Sequence, residues 1–262
     1  MELTVNGARV YAATGGRNFD PDLPVIVFLH GAGLDHTVWA LPARYFAHHD
    51  CSVLAVDLPG HGRSEGAPLT SIEAMADWVV KLLDEAALGR AALAGHSMGA
   101  LAALDCAGRH GDRVRAVALM GAAPKMPVHP DLLAAAEAND PLAFELMTSW
   151  GFGPSGHFGG ARMPGSWMMG GGERLLQRIP DGVLHADLSA CNAYQGAMAA
   201  AENVTCPLLI VMGDQDKMTP ARAGAKLVAA IAGAQQVTIP ACGHMMLAEK
   251  PDESLDALKT IL

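Results

Sequence analysis

The sequence places a serine between two glycines in the pentapeptide Gly95-His96-Ser97-Met98-Gly99. Apolar residues at 91–94 predict a short buried strand before it, and small residues at 100–107 favour a closely packed helix after it. Gly-x-Ser-x-Gly between a strand and a helix is typical of a nucleophile elbow, a sharp turn that holds the serine in a strained backbone conformation. The glycines leave room where a Cβ atom would collide with the turn. We therefore predict that Ser97 is a nucleophile presented at the edge of a sheet.

A serine hydroxyl needs a base to take its proton, and that base needs an acid to hold its tautomer. The carboxyl ends of parallel strands meet at one edge of a sheet, so these partners should follow predicted strands. The apolar run at 208–212 leads to Asp214 and Asp216, and the run at 236–239 leads to His244. The sequence thus predicts His244 as the base, with either aspartate as its acid.

Several further elements are needed to position these three groups. Asn6-Gly7 between two alternating segments is a strong hairpin signal, so two antiparallel strands should open the fold. Apolar runs predict buried strands at residues 25–29, 53–56 and 114–120. An amphipathic helix is expected at residues 71–87, with Ser71 as its N-cap. Strands that alternate with helices in this way indicate a parallel α/β sheet.

The alternation stops between residues 121 and 207, which contain no strand-like run, whereas βα connections usually take about 2–6 residues. Helix starts at Pro130 and Pro141, a glycine-rich stretch at 151–172 and a helix at 185–201 predict a mostly helical lid. We assign residues 124–203 to the lid, and residues 1–123 and 204–262 to the core. The lid contains many methionine and aromatic side chains. Either these side chains pack only within the lid, or some of them line a substrate pocket. We expect an apolar wall of that pocket to be formed by Met147, Trp150, Trp167 and Met168, with residues 151–172 as the mobile part of the lid.

Five motifs in this order resemble those of the α/β-hydrolase family, in members that carry a lid. They are His30-Gly31-Ala32-Gly33, Asp57-Leu58-Pro59-Gly60-His61-Gly62, the pentapeptide around Ser97, Gly213-x-x-Asp216 with Pro220, and Gly243-His244. The resemblance runs from residue 30 to residue 251. It implies a mostly parallel eight-stranded sheet flanked by helices, with the lid inserted after the sixth strand.

The same resemblance implies roles for particular residues. It places the acid at Asp216, with Asp214 as the rival. The oxyanion of the tetrahedral intermediate needs backbone donors, and the N–H of Met98 at the start of a helix is one expected donor. By resemblance, the N–H of Ala32 is the other. The expected catalytic set is therefore Ser97, His244 and Asp216 with this oxyanion hole.

A serine rather than a carboxylate at position 97 narrows the range of possible reactions. Dehalogenases and epoxide hydrolases of this fold use a carboxylate where this chain has Ser97. Hydrolysis of small to medium apolar carboxylic esters is therefore the expected activity, and residues 30–39 resemble those of small bacterial carboxylesterases of the pimeloyl-ester type. The alternatives are a lactone or enol-lactone hydrolase, an aminopeptidase-type hydrolase, and a non-catalytic ligand receptor on the same fold.

Composition restricts the class of partner. About half of the 262 residues are apolar, and the net charge is −9 without a block of like charge, so nucleic acid and anionic membranes are poor partners. The five cysteines lie far apart, and no group of His, Cys and Asp residues has the spacing of metal ligands, so we expect no metal. The glycines do not form a dinucleotide-binding fingerprint, and we expect no cofactor. No signal peptide or membrane span is visible. We expect a cytoplasmic monomer or small homo-oligomer that acts on a small-molecule ester.

Overall fold

A computed structural model describes residues 1–157, 159–160 and 165–262. Eight strands form one sheet in the spatial order β1-β2-β4-β3-β5-β6-β7-β8. The strands are β1 (Glu2–Val5), β2 (Ala8–Ala13), β3 (Val25–Leu29), β4 (Ser52–Val56), β5 (Ala91–His96), β6 (Val114–Met120), β7 (Leu208–Gly213) and β8 (Gln235–Ile239). The predicted eight-stranded α/β-hydrolase fold is confirmed.

The antiparallel and parallel parts of the sheet follow from the local sequence. Asn6 and Gly7 both have positive φ, at 52° and 80°, as a tight two-residue hairpin turn requires, and β1 pairs with β2 in antiparallel register. β2 joins β4 in antiparallel register as well, while β3 to β8 are parallel to one another. All residues of β3, β4, β5 and β7 are buried, because helices cover both faces of the sheet.

The helices cover the sheet and fill the connections. They are α1 (Ala40–Ala47), α2 (Ile72–Glu85), α3 (Met98–Arg109), α4 (Pro130–Glu137), α5 (Leu142–Gly151), α6 (Pro154–His157), α7 (Met168–Leu176), α8 (Val183–Ala193), α9 (Ala197–Glu202), α10 (Ala221–Ala230), α11 (Met246–Glu249) and α12 (Pro251–Leu258). The hydroxyl of Ser71 accepts the N–H of Ala74 at 3.1 Å, so the predicted cap of α2 is present. In the described part of the chain, no helix has the length and apolar character needed to cross a membrane.

Two apolar clusters pack on opposite faces of the sheet. On one face the larger cluster includes residues of α2 and α3, with Trp78 and Leu101 almost fully buried. On the other face the ring of Phe28 lies 4.8 Å from that of Trp39, beside residues of α1 and α12. Burial on both faces holds the central strands rigid, and their carboxyl ends carry the loops described below.

The segment between β6 and β7, residues 121–207, is called the insertion here. It contains α4 to α9, which agrees with the expected helical content. The prediction of a single helix at residues 185–201 is wrong, however, because α8 ends at Ala193 and α9 begins at Ala197. Tyr194 is extended between them, with ψ of 125°, and its buried hydroxyl donates to Asp105 of α3 at 2.7 Å. Part of the expected mobile stretch, at residues 158 and 161–164, lies outside the described residues.

Candidate active site

Ser97 occupies the sharp turn between β5 and α3. Its φ of 54° and ψ of −116° are unfavourable for a residue with a side chain, so the turn is strained as the pentapeptide predicts. Its N–H donates to the carbonyl of Met120 at 2.9 Å, which ties the turn to β6. A Cβ atom at Gly95 would lie 2.1 Å from the carbonyl oxygen of Gly99, and one at Gly99 would lie 2.3 Å from that of Leu29. Both glycines are therefore required for the backbones to approach this closely.

His244 and Asp216 are brought together by the loops after β8 and β7. Nδ1 of His244 lies 2.8 Å from Oδ2 of Asp216 and 3.1 Å from the hydroxyl of Thr219. The other oxygen of Asp216 accepts the N–H groups of Met218 and Thr219, each at 2.8 Å. Burial acts to raise the pKa of Asp216, but His244 and these hydrogen bonds outweigh it and hold that pKa below its ordinary value. The carboxylate is thus kept ionised beside the imidazole ring.

The outer nitrogen of the same ring is free. Nε2 of His244 is buried and makes no hydrogen bond to any of the residues that the structure describes. Because Nδ1 faces the Asp216 carboxylate, that nitrogen carries the proton and Nε2 is left as an acceptor. A free imidazole acceptor in a cavity shared with a serine hydroxyl is the arrangement that general-base catalysis needs.

Two contacts hold the backbone of His244. His96 lies next to the serine, and its Nε2 donates to the carbonyl of His244 at 2.9 Å, since a carbonyl can only accept. Burial and the neighbouring His244 lower the pKa of His96 to about 3, so this donor stays neutral. The N–H of His244 donates to the carbonyl of Gly151 at 2.7 Å, which links the base to the C-terminus of α5 in the insertion.

The room for the imidazole ring comes from a glycine at the end of β6. Gly121 has a φ of +63°, and a Cβ atom there would lie 2.9 Å from Cε1 and 3.0 Å from Nδ1 of His244. Gly121 therefore leaves space for the ring of His244, a role that no sequence motif indicated.

The two expected oxyanion donors lie close to the serine. Met98 is the first residue of α3, so its N–H is one of the N-terminal groups that have no partner within the helix, and such groups favour nearby negative charge. Ala32 lies in the turn at residues 31–34, which closes with the N–H of Leu34 donating to the carbonyl of Gly31 at 3.1 Å. A Cβ atom at Gly31 would lie 3.2 Å from the Cβ of Ser97, so this turn passes directly beside the serine.

A cavity of about 380 Å³ opens between this set and the insertion. Its volume lies near the lower end of the range for small-molecule sites, about 300–1,000 Å³. Ser97, His244 and Ala32 line one part of it. Most of the rest is apolar and comes from the insertion, while Lys217 also reaches it; the lining residues from the insertion are Met126, Pro127, Val128, His129, Leu132, Met147, Trp150, Leu188 and Cys191.

The structure separates the four lid residues that were expected to form the wall. Met147 and Trp150 of α5 line the cavity with Ser97. Trp167 and Met168 do not, which corrects that expectation. Trp167 is 63% exposed, and its ring covers Gly170, where a Cβ atom would lie 2.2 Å from the indole. Met168 begins α7, and this helix contributes Gly172 and Leu176 instead to a smaller cavity beside Ser97.

Sequence reasoning missed Thr219 and most of the wall. Thr219 lies three residues after Asp216, and aspartate side chains commonly accept backbone N–H groups of the residues that follow them, so the spacing held a usable signal. Leu132 of α4 and Leu188 of α8 carried no signal, because only the packing of the insertion turns them towards the cavity.

Within the described ranges, one cluster places three ligand-type side chains together, formed by Asp35, His36 and Asp57. Three of its four carboxylate oxygens already accept hydrogen bonds. Asp57 accepts the N–H and Nδ1 of His36 at 2.8 Å each and the N–H of Arg63 at 2.9 Å. Asp35 accepts the N–H and hydroxyl of Thr37. These bonds brace the loops after β3 and β4.

The comparisons with known proteins identify the family of this chain. Residues 26–257 match the model of the alpha/beta hydrolase family. A pimeloyl-acyl-carrier protein methyl ester esterase of Chromobacterium violaceum is 31% identical over 230 residues, which cover 84% of this chain and 87% of the esterase. The chain therefore belongs to the alpha/beta hydrolase family, and the expectation that it is an enzyme, a hydrolase of the esterase type, is confirmed.

Other similar proteins extend the comparison. A 2-(acetamidomethylene)succinate hydrolase of Mesorhizobium japonicum is 27% identical over 91% of this chain and 88% of its own length. The solved structure of the enol-lactonase from Burkholderia xenovorans LB400 superposes with a TM-score of 0.88 at 24% identity, over 99% of this chain and 98% of that one. The likeness to the solved structure concerns the fold alone.

Proposed function

We propose that this protein is a serine hydrolase that cleaves carboxylic esters of small to medium apolar substrates through an acyl-enzyme. Ser97 is the nucleophile, His244 the general base and Asp216 the acid that orients it. One observation carries the proposal: the imidazole of His244 is held by Asp216 on one side and presents an unpaired Nε2 to the cavity that contains Ser97.

The reaction follows from this geometry in two halves. Nε2 of His244 takes the hydroxyl proton as Oγ of Ser97 attacks the ester carbonyl, and the Asp216 carboxylate stabilises the imidazolium that forms. The N–H groups of Ala32 and Met98 donate to the oxyanion, each worth about 3–4 kcal/mol in comparable sites. The imidazolium then protonates the leaving alcohol.

Deacylation reverses the roles. Water enters, Nε2 of His244 takes its proton, and the hydroxide attacks the acyl carbonyl through a second oxyanion. Collapse of that intermediate returns the proton to Ser97 and releases the acid. Each step uses the same three side chains and two backbone donors.

The substrate class rests on the walls of the cavity. Met147, Trp150, Leu132 and Leu188 present carbon and sulfur atoms, so a hydrocarbon chain would lose contact with water there. We assign residues 124–203 to a lid that provides these walls, over a core formed by residues 1–123 and 204–262. The occupant is a small-molecule ester.

A fluorophosphonate probe tests the nucleophile. Wild-type protein should take up one label, located by peptide mass spectrometry on Ser97, and Ser97→Ala should take up none. Ser166→Ala removes an exposed serine of the insertion and serves as the matched control, which should label like wild type. Labelling that persists in Ser97→Ala would overturn the assignment. Hydrolysis of p-nitrophenyl esters, lactones and aminoacyl anilides by the same proteins then ranks the substrate classes.

A further inference from the structure

A buried carboxylate of the insertion reaches the turn that carries one oxyanion donor. Asp187 of α8 has no exposed surface, and its Oδ2 accepts the N–H of Gly33 at 2.9 Å. Gly33 directly follows Ala32. The same oxygen lies 2.8 Å from Nε2 of His61, in the loop after β4. One carboxylate oxygen therefore joins three separate parts of the chain beside the proposed oxyanion hole.

The hydrogen bonds around His61 define its protonation. Nδ1 lies 3.0 Å from the carbonyl of Pro59, which can only accept, so Nδ1 carries a hydrogen. Nε2 faces a carboxylate oxygen and must donate as well. His61 is therefore an imidazolium, only 2% exposed, and its charge is compensated by Asp187. Burial acts to lower the pKa of His61, but Asp187 outweighs it and holds that pKa above its ordinary value.

The other groups that face His61 leave this pair intact. The ring of His30 lies 4.7 Å away, with Nδ1 donating to the carbonyl of Gly31 and Nε2 accepting the N–H of Leu58. Burial and the charge of His61 lower the pKa of His30 to about 4, so His30 is neutral. Asp57, the remaining charge nearby, is bonded to His36 and Arg63 as described above.

Gly33 is packed tightly against the insertion. Its φ is +68°, and a Cβ atom there would lie 2.8 Å from Cδ2 of Leu176 and 3.0 Å from Cδ1 of Leu184, both in the insertion. Fixing the N–H of Gly33 fixes the peptide that follows Ala32, and so restricts the backbone angles that aim the N–H of Ala32 at the substrate. The insertion thus reaches the oxyanion hole through a hydrogen bond as well as through apolar packing.

We propose that the buried His61–Asp187 ion pair is a positioning device that holds the turn at residues 31–34 in its oxyanion-binding geometry and makes that geometry depend on the docked insertion. Neither residue touches substrate; both act through Gly33 and Ala32. This inference rests on the proposed function.

Asp187→Asn breaks the arrangement with almost no change of shape. The Asn oxygen at the Oδ2 position would accept from Gly33 but would leave the His61 charge uncompensated. The Asn nitrogen at that position would donate to a neutral His61 but would oppose the Gly33 N–H. One interaction is lost either way. We expect kcat for an ester to fall about 30-fold with KM within about twofold, less than the roughly 10²–10³-fold cost of deleting an oxyanion donor.

The double variant His61→Gln with Asp187→Asn is the rescue. The Gln amide can donate to the Asn oxygen, which then accepts from Gly33 as well, so both bonds return without charge. We expect kcat to recover to within about threefold of wild type. The wild-type enzyme should also lose kcat at alkaline pH, because a group with a raised pKa contributes below that pKa and ceases to do so as the pH rises through it. The double variant should lack this loss.

Tyr194→Phe is the matched control. It removes another buried hydrogen bond between the insertion and the core, the one that Tyr194 donates to Asp105. Neither residue belongs to the turn at residues 31–34. It should lower the melting temperature and leave kcat within about twofold. Equal losses of kcat in Tyr194→Phe and Asp187→Asn would mean that Asp187 only secures the insertion, and the inference would be wrong.

Nitrogen-15 spectra of histidine-labelled protein test the pair without turnover. Both ring nitrogens of His61, assigned by their absence in His61→Gln, should be protonated at pH 7, and one should lose its proton in Asp187→Asn. A neutral His61 in the wild type overturns the inference. Failure of the proposed function looks different: wild-type protein would neither hydrolyse esters nor label at Ser97.

Discussion

Replacing Trp150 with alanine tests whether the cavity selects esters by chain length. Trp150 lines the same cavity as His244 and directly precedes Gly151, whose carbonyl accepts the N–H of His244. Truncation removes part of the apolar wall. It leaves Ser97, His244 and the oxyanion donors in place.

The expected magnitude follows from the area that a substrate chain buries. Four methylenes separate an acetate from a hexanoate ester, and each contributes up to about 0.8 kcal/mol when fully buried. The wild-type enzyme can therefore prefer hexanoate by up to about 3 kcal/mol, or roughly 150-fold in kcat/KM. If the indole covers half of the chain, Trp150→Ala loses about 1.5 kcal/mol, which is about 10-fold on hexanoate, with acetate changed less than about twofold.

The assay is kcat/KM for p-nitrophenyl esters from acetate to decanoate, with alkyl acetates run in parallel, because either half of the ester can occupy the cavity. One of the two series should become less steep in Trp150→Ala. Trp167→Ala is the matched control, since the Trp167 ring is 63% exposed and lies against Gly170 outside the cavity lining. Equal losses on the short and the long esters in both series would refute the reasoning. So would the same change in Trp167→Ala.

Three further predictions concern the base and its support. Asp216→Asn should lower kcat by about 10⁴-fold, as loss of a tautomer-holding acid does elsewhere, whereas Asp214→Asn should stay within about tenfold; the reverse ranking in a steady-state assay would make Asp214 the acid. Gly121→Ala should lower kcat by 10-fold or more, because its Cβ would displace the ring of His244, and a wild-type rate would show that the ring can shift at no cost. The pKa of Asp216 is lowered in the folded state, so the ionised carboxylate stabilises the fold at pH values above its ordinary pKa near 4, and this stabilisation is lost as the pH falls through the lowered pKa. The melting temperatures of wild type and Asp216→Asn should therefore converge below about pH 4. A difference that stays constant with pH would contradict this.

The local sequence predicts those features whose cause is local. The pentapeptide around Ser97 predicts its turn, because neighbouring backbone segments lie so close to Gly95 and Gly99 that no Cβ atom would fit there. Asn6-Gly7 predicts the hairpin, since both positions need positive φ. Ser71 predicts a helix start, and apolar runs predict strands buried on both faces. The order of motifs along the chain was enough to expect the family, which the comparisons confirm.

Tertiary packing overrides local preference elsewhere. The small and helix-favouring residues around Tyr194 allow a continuous helix, but the bond from its hydroxyl to Asp105 holds the backbone extended and ends α8. Trp150 and Trp167 each follow a serine and have glycines close by in the sequence, so the sequence did not distinguish their surroundings. Only the direction in which each helix packs places Trp150 at the cavity and Trp167 in solvent.

Long-range contacts lie beyond sequence reasoning for the same reason. His61 and Asp187 are separated by 126 positions, and no residue close to either one in the sequence indicates that they pair. Thr219 could be read from its spacing to Asp216, but the space for the His244 ring depends on Gly121 after a different strand. The sequence by itself determined which groups could do chemistry and at which sheet edge. The fold decided which atoms meet there, because pairing of distant groups depends on how strands and helices pack rather than on the residues beside them.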